Sequence, residues 1–116
     1  MVKKGRAAKG RMSDTQVEEA ARQFTVLSEP ARLMLLRELM EGESSVGELA
    51  KKTGIKQGTV SKHLGVLTTA GFVERRREGA LAIHRISDPM VRQVCELMCR
   101  RVSAEAAKRA EKLASR

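Results

Sequence analysis

A chain of 116 residues with 41% hydrophobic and 32% charged content has one domain's length, is too apolar for wholesale disorder, and has no apolar run near the roughly 18 residues of a membrane span. Two phenylalanines are the only aromatic residues, so the core has to be aliphatic and methionine-filled, and stacking platforms for single-stranded RNA are lacking. The net charge of +9 is distributed in blocks: residues 1–12 hold five bases and no acid, residues 13–43 hold seven acids against three bases, and residues 44–71, 72–87 and 88–116 are each basic again. Basic blocks around an acidic one point to a face turned to a polyanion. The basic N-terminus leads into no apolar segment, so it is not read as a secretory signal. Two cysteines without a disulfide framework predict free thiols in a reducing cytoplasm.

Residues 1–12 carry no apolar periodicity and are expected to form a flexible basic arm, with one domain over residues 13–116. Ser13 and Gln16 have capping-box spacing, and Val17, Ala20, Ala21, Phe24 and Leu27 give an apolar stripe, so a first helix is predicted over about 14–27. Ser28 is placed to cap the next helix, with Pro30 in its first turn; Leu33, Leu36, Leu39 and Met40 carry that helix to Gly42. A second capping box at Ser45 and Glu48 starts a short third helix ending near Thr53, and Gly54 suits the left-handed residue that stops it.

A fourth helix follows over about 57–69, closed by Gly71. Residues 72–77 and 81–86 are strand-like, joined by a turn at Glu78-Gly79-Ala80. Asp88-Pro89 is an N-cap followed by proline at the first helical position, and starts a last helix running from 89 toward 113. Two short helices around a glycine turn, followed by a basic hairpin, compose a mainly α winged helix-turn-helix. It has about five helices and a two-stranded β wing.

The fourth helix carries the chemistry. Val60, Leu64 and Leu67 recur at the spacing that holds a helix to a core, leaving Gln57, Gly58, Thr59, Ser61, Lys62 and His63 to face outward. Glutamine pairs bidentately with adenine, serine and threonine donate permissively, and lysine serves guanine or phosphate. Gly58 removes a side chain where the backbone approaches DNA, whereas Gly65 is expected to pack closely against a neighbouring helix. Arg75, Arg76 and Arg77 cannot all point one way on a strand, so one or two of them reach phosphate or minor groove. His84 is read as a packing or surface residue.

Taken in order, "LSEPARLMLLREL" (27–39), "SVGELAKKTGIKQGTVSKHLGVLTTAGFVERRREG" (45–79) and "HRISDP" (84–89) resemble the ArsR-type family of bacterial winged-helix regulators. The likeness spans about residues 17–102. It implies a homodimer joined through the first and last helices, binding an imperfect palindrome in double-stranded DNA as a repressor and released by a signal. Lys56 stands where members often place a hydroxyl N-cap; lysine sacrifices that cap and offers an ammonium to phosphate instead. The cysteine-rich motif of the family's arsenic and cadmium sensors is missing from "SSVGEL", and only Asp88 matches the last-helix zinc set, with Met90, Arg101 and Ala104 at the other positions. Neither familiar metal site is expected.

Cys95 and Cys99 stand four residues apart on the last helix, Cys95 in a stripe with Val91, Val94, Met98 and Val102 and Cys99 at its edge. One reading is packing at a dimer seam. The other is a sensor pair, met by a thiophilic metal, arsenite or a reactive sulfur species. Spacing argues against a disulfide between them, since Cβ atoms at that separation lie about 5–6 Å apart and a disulfide needs about 3.5–4.5 Å. Against the reading as a sequence-specific regulator stand a non-specific architectural DNA protein and a winged helix used for RNA or protein contact. No phosphate loop, nucleophile elbow or paired-carboxylate cleft supports an enzyme.

Overall fold

Capping signals and aliphatic stripes set the elements of the chain, whose computed structural model describes residues 10–115. The arm expected over residues 1–12 lies outside the described residues except for its last three. The helices are α1 (Asp14–Leu27), α2 (Pro30–Glu41), α3 (Val46–Thr53), α4 (Gln57–Thr69) and α5 (Pro89–Ala114). The strands are β1 (Ser44–Ser45), β2 (Val73–Glu78) and β3 (Leu81–Ile86), antiparallel in the order β1-β3-β2.

Both capping boxes close. Ser13 Oγ accepts from the Gln16 N–H while Gln16 Oε1 accepts from the Ser13 N–H, and Ser45 and Glu48 make the same exchange at α3. Asp88 caps α5 by accepting from the Met90 N–H at 2.9 Å. Ser28, expected to cap α2, does not. Its hydroxyl turns back to donate to the Thr25 carbonyl at 2.7 Å, and Glu29 occupies the N-cap without a side-chain bond.

The core is a single cluster: Leu35, Leu36 and Leu39 of α2, Leu49 of α3, Val60, Leu64 and Leu67 of α4, and Phe72, Val73 and Val91 around them. Leu33, assigned to the buried stripe from sequence, is 45% exposed, and Leu35 is buried in its place. The run Leu33-Met34-Leu35-Leu36 is apolar at every position, so its pattern alone does not fix the phase of the helix. Arg92 of α5 donates to the Met40 carbonyl at 2.9 Å, satisfying an acceptor at the end of α2 and pinning the base of α5 to it.

The turns on either side of α4 depend on glycine. Gly54 closes α3 at φ 74°, its N–H bonded to the Ala50 carbonyl. After α4, Gly71 adopts φ 82°, with its N–H on the Thr68 carbonyl and the Phe72 N–H on the Leu67 carbonyl. That pair of bonds is the Schellman closure of a helix. It also spends the Phe72 amide, so β2 starts one residue later than predicted and reaches Glu78, which pairs with Leu81 across a two-residue turn at Gly79-Ala80. Gly65 differs from the glycines of the turns. A Cβ built there meets nothing within 4 Å, so the close helix packing expected of it is absent; the position opens onto the outer side of α4.

One face lacks a partner among the described residues. No residue of α1 is buried, and Phe24 is 61% exposed. On α5 the apolar stripe begins at buried Val91, passes half-buried Cys95, and emerges at Met98 and Val102, each 57% exposed. Ala20, Phe24, Leu27, Phe72, Met90 and Val94 line an apolar groove between the two helices. No helix among the described residues is long and apolar enough to cross a membrane.

Candidate nucleic-acid interface

The core anchors α4 by one stripe and thereby aims the rest of it. With Val60, Leu64 and Leu67 at or near zero exposure, Gln57, Gly58, Thr59, Ser61 and Lys62 are all exposed along the N-terminal half of the helix. Lys56 occupies the N-cap without a side-chain bond, so the first amides of α4 are left for an external acceptor. A groove of about 400 Å³ separates this end of α4 from the wing; Gln57, Gly58 and Ser61 line one side and Ala80, Leu81 and Ala82 the other. A second groove continues past Ser61 and Gly65 to Arg75 and His84.

The wing divides its arginines by strand alternation. Arg75 stands opposite His84 and Arg77 opposite Ala82, on the side facing α4, while Arg76 stands opposite Ile83 on the other side. Arg76 does not join the other two at the groove. Its guanidinium grips both carboxylate oxygens of Glu43, at 2.5 and 2.7 Å, and reaches Glu78 at 3.1 Å. The bonds to Arg76 hold the Glu43 carboxyl below its ordinary range, and Arg76 is held firmly protonated in return, chiefly by Glu43. Arg85 pairs with Glu74 on that same outer side. Lys56, Lys62, Arg75 and Arg77, by contrast, have no ion-pair partner among the described residues.

The two histidines behave differently from each other. His63 is half-buried on the flank of α4 toward α2, and its Nδ1 accepts from Arg32 Nε at 3.2 Å. His84 is 5% exposed, its Nδ1 has no hydrogen-bond partner among the described residues, and burial followed by the nearby Arg75 pushes its pKa down. A neutral packing residue is the result. Sequence reasoning missed Arg32 and Glu43, which fix His63 and Arg76 from positions 31 and 33 residues away. No local pattern carries a signal for either pair. The strand β1 was missed as well, because two residues are too few to show alternation.

Cys95 is half-buried against the core cluster and Cys99 is exposed. Burial, then Glu96, pushes the Cys95 thiol up, away from the thiolate a nucleophile or soft-metal ligand needs. Asp88 is engaged as the cap of α5. Among the described residues no three His, Cys, Asp or Glu side chains gather to hold a metal ion.

A helix anchored by one stripe, presented after a glycine turn and flanked by a basic hairpin, is the arrangement of a winged helix-turn-helix DNA-binding domain. Residues 29–75 match the profile of the bacterial regulatory protein, arsR family, and the chain belongs to that family. The biofilm growth-associated repressor of Xylella fastidiosa is 42% identical over 81 residues, 70% of this chain and 71% of that protein. A probable mercury resistance operon repressor of Streptomyces lividans is 36% identical over 75% of this chain and 70% of its own. Among solved structures, the homodimeric winged helix-turn-helix DNA-binding domain from Mycobacterium bovis superimposes with a TM-score of 0.71 at 32% identity, covering 84% of this chain and 93% of that one. The protein is a DNA-binding transcriptional regulator and not an enzyme.

Proposed function

We propose that the protein acts in the cytoplasm as a homodimeric repressor that binds an imperfect palindrome in duplex DNA and leaves it on a signal. The observation that carries this reading is the exposed polar face of α4, beside the cations Lys56, Lys62, Arg75 and Arg77 that no carboxylate among the described residues neutralises. Gln57, Thr59 and Ser61 read base edges; the cations and the free amides of α4 hold phosphate and set the register. The unpartnered apolar face on α1 and α5 supplies the two-fold seam, as in the homodimeric relative. Two protomers then present two copies of α4 to successive major grooves.

Genome-wide mapping of bound sites followed by competition tests the reading. An excess of unrelated duplex is expected to leave the complex on a mapped site largely intact. Equal displacement by unrelated and mapped duplex would assign a non-specific architectural role instead.

For the cysteines, the half-burial of Cys95 and its raised pKa favour packing over sensing. Cys95→Ser is expected to lower thermal stability by about 1 kcal/mol, the cost of placing a hydroxyl against apolar neighbours. Arsenite, a thiophilic metal or a sulfur oxidant is expected to leave DNA affinity unchanged. Measured side by side, a loss of affinity in wild type that the Cys95→Ser/Cys99→Ser protein does not share would make the thiols the sensor.

A further inference from the structure

We propose that Arg32, on α2, is a positioning residue for DNA recognition, which fixes the His63 ring on α4 so that its Nε2–H faces the DNA. The inference rests on α4 being the base-reading helix. It starts from two hydrogen bonds made by one guanidinium: Nε donates to His63 Nδ1 at 3.2 Å, and Nη1 donates to the Val26 carbonyl at 3.0 Å. Arg32 and His63 are both half-buried. The bond to Val26, in the last turn of α1, prevents the guanidinium from turning freely, so the planar fork presents Nε to α4 from a set direction.

A guanidinium carries only donors, so the nitrogen it meets has to be the ring's lone-pair nitrogen, and the ring proton sits on Nε2. No group among the described residues accepts from Nε2. His63 stands one turn after exposed Thr59 and beside exposed Lys62, at the edge of the exposed face of α4, where an acceptor from DNA would complete its bonding. A second ring proton would put a donor against the Arg32 donor and lose the bond. His63 therefore serves as a directed donor through Nε2, and Arg32 acts through it without touching DNA.

The experiment is a double-mutant cycle of Arg32→Ala and His63→Ala on affinity for a mapped site, with Arg32→Lys as a third variant. Salt dependence, thermal melting and imidazole ¹⁵N spectra are recorded for each. Each single alanine variant is expected to weaken binding about tenfold, the scale of one hydrogen bond, and the double variant no further. The salt slope should stay at its wild-type value in all of them, because no phosphate-neutralising charge is removed. Lysine should fail to rescue, since an ammonium cannot span Val26 and His63 as the fork does, and the Nδ1 signal should shift to that of a solvated nitrogen in both Arg32 variants.

Additive losses, rescue by lysine, or a salt slope lowered by about one in Arg32→Ala would make Arg32 a direct phosphate contact and overturn the proposal. Lower melting with unchanged affinity of the folded protein would overturn it too. If Arg32→Ala does not fold, Arg32→Lys completes the cycle with His63→Ala. Gln57→Ala serves as the control for α4: if it is also silent, the reading of that helix fails, whereas an active Gln57→Ala beside a silent Arg32→Ala refutes the positioning role alone.

Discussion

Phe24→Glu is expected to leave the protein folded but monomeric, and to remove operator binding with the dimer. Phe24 is 61% exposed on α1 and lines the apolar groove with Leu27, Met90 and Val94, so its ring has little to lose within one chain. Across a seam, a carboxylate there would be desolvated against the apolar groove, a cost of several kcal/mol. Each 1.4 kcal/mol is a factor of ten, so the dimer dissociation constant should rise at least a hundredfold. Sedimentation equilibrium reads the assembly state, melting reads the fold, and gel shift reads the DNA complex. A glutamate variant that stays dimeric would show that the seam lies elsewhere.

The second large effect separates base reading from backbone holding. Gln57→Ala and Ser61→Ala are expected to cost about 1–3 kcal/mol each on the preferred site and to relax preference at particular base pairs. Arg75→Ala and Arg77→Ala should weaken all duplexes more evenly and lower the salt slope by about one each. Arg76→Ala should behave differently from its two neighbours, because its guanidinium is already held by Glu43 and Glu78 on the outer side of the wing. Its effect should be small and reproduced by Glu43→Ala. Titration of each variant on preferred and scrambled duplexes over a range of salt checks the assignment; identical behaviour of the Gln57 and Arg77 variants would remove α4 from the role of base reader.

What the sequence disclosed and what it hid follow from the range of the interactions. Ser13 with Gln16, Ser45 with Glu48, and Asp88 with Pro89 signal over one turn of chain, and all three start helices where their spacing places them. Gly54 and Gly71 mark left-handed closures because other residues are strained there, and both adopt positive φ. The stripe Val60-Leu64-Leu67 sets the phase of α4, and so the outward set Gln57, Gly58, Thr59, Ser61 and Lys62 was legible from the residues it excludes. In α2, four successive apolar residues erased the same signal and put Leu33 on the wrong side.

Gly65 was misread because a glycine in a helix reports a missing side chain and not which neighbour required it. Arg76 and His63 were identified as basic residues near the interface, but their partners come from α2 and its exit turn, joined only when the chain folds. Strand alternation predicted that the three arginines would divide; it did not predict that the odd one is captured by Glu43.

The proposed dimer reads two half-sites with two copies of α4, and footprinting of the purified protein on mapped sites tests that most directly. Two related half-sites about one helical turn apart, roughly 10 bp centre to centre, with protection of both, is the expected pattern. A single unpaired half-site, or protection spread without regard to sequence, would contradict it.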